Sequence, residues 1–170
     1  LVAWAAGALA LKLTDAERRA LIDRDTSKAL AREQYLQGYG YLTDSREPAN
    51  VDRAIDRFTR ALEIDGRYAL GFAGLGRAYW QKYSVNNDPQ WPSKARDACR
   101  QALEIDKHLS EAHVCLGMVS NGSGQYADAR AAYEKAIESD ELSDEGLLGL
   151  AFAEEHLGDF NAAEQTYRRA

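Results

Sequence analysis

The segment 110–143, SEAHVCLGMVSNGSGQYADARAAYEKAIESDELS, is followed by a second segment of the same pattern that starts at Asp144, 34 residues on. Leu116-Gly117 recurs as Leu150-Ala151, Gly124 as Gly158, Tyr126 as Phe160, Ala129 as Ala163, Tyr133 as Tyr167 and Ala136 as Ala170. Each segment reads as two amphipathic helices joined by a glycine-containing turn, and a fixed period of this length is the signature of stacked helical hairpins. The small residues let facing helices approach closely, and the large ones fill the space between them.

The unit ends repeat as well: ALEID at 61–65 and 102–106, AIESD at 136–140. The last two are 34 residues apart and the first two 41, so the unit from Ala69 carries about seven extra residues. These are assigned to a loop at 84–93, SVNNDPQWPS, between helices expected at Tyr68–Tyr83 and Lys94–Ile105. Upstream, one helix is expected through Leu30, Tyr35, Leu36, Tyr39 and Leu42. A turn-rich connector at 43–50 precedes a second helix, Val51–Ile64, with Ala54, Ile55, Phe58, Ala61 and Leu62 along one face. The run Leu1–Leu13 is too short to cross a bilayer and lacks a charged leader, so it reads as a buried amphipathic helix. Thr14 and Glu17 have capping-box spacing for another helix. The expected organisation is N-terminal helices over 1–26, packing on the first repeat, and a repeat region over 27–170. Its helix pairs fall near 27–65, 66–106, 110–140 and 143–170, the last cut short. The chain begins without methionine and ends inside a helical pattern, so a piece of a longer protein is expected.

Composition narrows the function classes. The net charge of −6 and the absence of any Lys/Arg run longer than a pair disfavour phosphate contacts, so no nucleic-acid partner is expected. No membrane partner is expected either. Cys99 and Cys115 are too few for a disulfide framework and read as small buried thiols, which fits a reducing cytoplasm. Gly71, Gly74 and Gly76 lie inside a helical pattern, and Asn121–Gly124 lacks the lysine of a phosphate loop. His108, His113 and His156 are too scattered for a metal site, and the acidic pairs occupy solvated turns. No catalysis, cofactor or metal is expected within this segment.

In the unit from Ala69, Phe72, Leu75, Gly76 and Tyr79, with Ala95, Ala98, Cys99, Ala102 and Leu103 on the second helix, resemble the tetratricopeptide repeat. His113 and Leu147 depart from the family's aromatic at the fourth position, and Gly66, Lys107 and Glu141 stand where proline is common. The resemblance implies an all-α, right-handed solenoid of antiparallel helix pairs, about three and a half to four repeats plus the N-terminal helices. A narrower resemblance covers Leu9 to Trp91: LALKLTDAERRAL, AREQYLQGYGYL, AIDRFTRALEIDGRYALGFAGLGRAYW and NDPQW are similar to repeat regions of bacterial multidomain signalling proteins. In those, the repeats follow a serine/threonine kinase, a nucleotide cyclase or a winged-helix domain. No kinase motif occurs in this chain.

The same resemblance implies a concave face lined by the second, fifth, ninth and twelfth residues of each repeat. These are Leu70, Ala73, Arg77 and Trp80; Glu111, Val114, Met118 and Asn121; Glu145, Leu148, Phe152 and Glu155; and, in the first pair, Tyr35, Tyr39 and Leu42. Some family members grip a terminal carboxylate there with Lys, Asn and Arg. Only Arg77 and Asn121 could take part in this chain, so an apolar groove with polar edges for a protein or peptide segment is expected instead. The alternatives are a self-association module forming homo-oligomers, or the substrate-recognition part of an enzyme such as a kinase. Trp91, between Pro89 and Pro92, either folds back into the gap left by the longer turn or stands out as an aromatic anchor.

Overall fold

The computed structural model describes residues 26, 28–43, 47 and 49–170. The expected N-terminal helices and the capping box at Thr14 lie outside these residues. Eight helices follow in order: α1 (Ala29–Thr43), α2 (Ala49–Ile64), α3 (Ala69–Asn86), α4 (Gln90–Ile105), α5 (Ser110–Gly122), α6 (Tyr126–Ser139), α7 (Asp144–His156) and α8 (Phe160–Tyr167), with no strand among the described residues.

The repeated aspartate of ALEID and AIESD organises the turn between one pair and the next. Asp65, Asp106 and Asp140 each accept a hydrogen bond from the backbone N–H two residues on, at 3.2, 3.0 and 3.2 Å. Such a side-chain turn satisfies a backbone donor of the connection between pairs. The turns within the last two pairs use glycine. Gly124 and Gly158 have φ of 72° and 84°, where a side chain is strained. Around Gly124, its own N–H donates to Asn121 O and that of Gln125 to Ser120 O, which closes the helix end in a Schellman motif.

Packing places the large and small residues as the period predicts. A β-carbon on Gly117 would stand 2.7 Å from the Tyr133 ring, and Gly149 of the next pair meets the same ring. Phe58 repeats the arrangement between Gly38 and Gly74. In the first and third pairs one aromatic is thus held between two glycines, one in its own hairpin and one in the next. In the second pair Cys99 takes the aromatic's place and Cys115, in the third, that of the second glycine, and the two are joined as a disulfide with Cα atoms 5.9 Å apart. The expectation of two separate buried thiols is therefore corrected: the register that brings ring against glycine elsewhere brings sulfur against sulfur here. Leu150 and Tyr133 are buried, whereas Leu116 is only half-buried.

The expected loop at 84–93 is corrected too. α3 runs on to Asn86 and α4 begins at Gln90, so the extra residues lengthen both helices. Asn87 stops α3 in the left-handed region, φ 55°, while its N–H donates to Tyr83 O at 2.7 Å. Pro92 is tolerated because first-turn N–H groups have no partner in the helix to lose.

Among the described residues α1 packs on α3, α3 on α5 and α5 on α7, while α2, α4, α6 and α8 make no such chain of contacts. The first helices are therefore crowded along the inside of a curve and the second helices spread along its outside. At the last pair, the Thr166 hydroxyl donates to the buried Glu154 carboxylate at 2.8 Å, joining α8 to α7.

Candidate protein-interaction groove

The expected groove residues lie on α1, α3, α5 and α7, which use them differently. Tyr39, Leu148 and Phe152 are 42%, 51% and 41% exposed, large for apolar side chains on a packed helix. Met118 is half-buried and Glu155 is exposed, its carboxylate accepting from the Tyr167 hydroxyl at 3.3 Å. Val114 is only 5% exposed and belongs to the core around Tyr133. Tyr35 is half-buried, its ring 5.7 Å from that of Phe58 and 5.4 Å from that of Tyr68. Trp80 sits against Tyr83, with ring centroids 5.3 Å apart, and over Gly122 at the end of α5, where a β-carbon would collide with the indole.

Two polar groove residues are committed to internal bonds. The Asn121 side chain donates to Gly149 O at 3.1 Å, tying α5 to α7. The Arg77 guanidinium donates twice to Glu145, at 2.6 and 2.8 Å, reaching from α3 past α5 to α7. Burial opposes the charge on Arg77, but the bonds to Glu145 outweigh it, so its pKa lies above the ordinary value. This pair borders a pocket of about 200 Å³ in which Tyr35, Tyr39 and Leu42 of α1 face Glu111 of α5, over Ala73 and Gly74. Sequence reading placed Glu111 and Glu145 at inward positions without a role; no local signal could pair Glu145 with Arg77.

With helix in place of the expected loop, Trp91 lies within α4. It is half-buried on the first turn of α4, stacked on Tyr79 with centroids 5.5 Å apart at 27°, and the Lys94 ammonium lies 4.6 Å from its ring. The longer pair thus carries an aromatic stack and a cation–π contact near its turn.

Residues 110–141 match the family described as the tetratricopeptide repeat. The fold is a tetratricopeptide-repeat solenoid. A thermophilic repeat protein of Thermus thermophilus superposes with a TM-score of 0.65 over 82% of this chain and 89% of its own, at 17% identity. The first repeat domain of Spaghetti (RPAP3), bound to the HSP90 peptide SRMEEVD, gives 0.61 over 79% and 98%, at 18% identity. In sequence, the small glutamine-rich tetratricopeptide repeat-containing protein 2 of Mycosarcoma maydis is 26% identical over 134 residues, which are 79% of this chain. The match spans about a third, 36%, of that relative's length. Among the described residues, no helix is long and apolar enough to cross a membrane.

Proposed function

We propose that this segment is a non-catalytic protein-interaction scaffold that holds a peptide or protein segment along α1, α3, α5 and α7. The observation that supports it best is the exposure of Tyr39 on α1 and of Leu148 and Phe152 on α7, where a partner can bury them. The fold is one whose solved members include a complex with a peptide. A terminal-carboxylate clamp is not part of the proposal, because Arg77 and Asn121 are already engaged by Glu145 and Gly149. We further propose that the segment works within a larger bacterial signalling or regulatory protein, in the cytoplasm.

The test is affinity capture with the full-length protein, followed by quantification of each captured partner against Tyr39→Ser and Phe152→Ala variants of unchanged helicity. Loss of binding in both supports the groove; full binding in both removes it. Placement in a reducing compartment is tested by blocking free thiols at lysis and mapping Cys99 and Cys115 by mass. A bonded pair in freshly lysed cells points to an oxidising compartment instead.

A second reading, self-association, has its own support in exposed Leu157, Phe160 and Tyr167 around α8. Light scattering over a concentration series separates the two: a strict monomer removes self-association and leaves the groove. The third reading, substrate recognition for a linked enzyme, is decided by whether the full-length sequence carries a catalytic domain.

A further inference from the structure

We propose that the pocket beside Arg77 and Glu145 accepts an arginine or lysine side chain of the bound segment, with Glu111 as its counter-charge. This rests on the groove reading above and names the chemistry of the partner.

The pocket already shows which group suits it. Arg77, which lines the pocket together with Tyr35 and Tyr39, is gripped at two points by Glu145. That is how a planar cation is held by a carboxylate. Glu145 spends both oxygens on Arg77, whereas exposed Glu111 has no hydrogen-bond or ion partner among the described residues. Two carboxylates against one guanidinium leave the pocket one positive charge short. Further along the groove Glu155 adds another exposed carboxylate, so the inner face is anionic, in keeping with the net charge of −6. A carboxylate arriving from a partner meets Glu111 while the resident cation is already paired, and like charges brought together repel. An arriving ammonium or guanidinium meets an unpaired carboxylate and the exposed Tyr39 ring. The matching partner is a cationic segment whose apolar residues lie on Leu148 and Phe152.

The test uses two short capped peptides, Gly-Leu-Ala-X-Leu-Phe-X-Ala-Gly, with X either arginine or glutamate, labelled and titrated with the protein by fluorescence anisotropy. The expected result is an arginine peptide bound at least about tenfold more tightly, a preference that shrinks with added salt. Glu111→Gln, an exposed and structurally mild change, should erase most of the preference, and Glu111→Lys should reverse it. Equal affinities that fall together in Phe152→Ala would overturn the cation pocket and leave the groove standing. Affinities indifferent to both Glu111 and Phe152, or no binding by either peptide, would overturn both.

Discussion

Arg77 and Glu145 stand 68 residues apart in sequence, yet their side chains meet in two hydrogen bonds of 2.6 and 2.8 Å across the inside of the curve. The contact skips the intervening α5, so it reports directly on how tightly successive hairpins are coiled. Both ends are partly exposed, 24% and 52%, so screening limits their mutual stabilisation. A double-mutant cycle with Arg77→Ala and Glu145→Ala is expected to give a coupling of about 1 kcal/mol at low salt, smaller at high salt. Zero coupling in urea titrations would mean that the two do not meet in solution.

Glycines in this chain divide into two kinds, and alanine tells them apart. Gly117 faces the Tyr133 ring with no room for a methyl group, so Gly117→Ala is expected to cost about 1–3 kcal/mol through overpacking. Gly40, inside α1, has nothing within 4 Å of where its β-carbon would be. Gly40→Ala should therefore stabilise, by roughly 0.5–1 kcal/mol, because alanine loses less backbone entropy in a helix. Chemical denaturation of both variants checks the pair, and equal effects would refute the ring-on-glycine packing.

The bond between Cys99 and Cys115 links the second pair to the third across a sequence separation of 16. Closing a loop of that length restricts the unfolded chain by roughly 3 kcal/mol. Oxidised protein should therefore unfold at higher urea than the same protein with reductant, by about that free energy. Identical curves, with the bond verified by mass before and after, would contradict this.

His113 predicts an acid-sensitive contribution. Burial holds its pKa below the ordinary 6.5, partly opposed by a hydrogen bond to Lys107 O at 3.0 Å. A carbonyl only accepts, so the ring carries its proton on Nε2. The unfolded chain takes up a second proton near 6.5 while the folded chain resists it, so the unfolded state binds more protons below that pH. The contribution is fully present above pH 6.5 and declines as pH falls below it. His113→Gln should flatten the fall in stability over that window, measured by urea titration at successive pH values. An unchanged slope would count against it.

Much of the fold was legible in the sequence because its signals are local. Helical faces such as Ala54, Phe58 and Ala61, and the glycines at 124 and 158, depend on spacings of a few residues and on a turn's dihedral angles. The stretch at 84–93 misled because proline and asparagine suggest a loop, although Pro92 sits where a first helical turn accepts it and Asn87 ends α3 in a single residue.

The groove divides along the same line. The family resemblance put Tyr39, Leu148, Phe152 and Val114 at inward positions, but it could not say that Val114 is covered while the other three stay open. Nor could it join Arg77 to Glu145 or Cys99 to Cys115. The sequence by itself determined the all-helical hairpin pattern and the glycine turns of the last two pairs, since each follows from hydrogen bonds and side-chain faces within one helix and its neighbour. The tertiary structure decided which side chains from different hairpins touch. That depends on the rotation between stacked pairs, which is set jointly by the ring-on-glycine contacts of every layer and written in no single stretch of the chain.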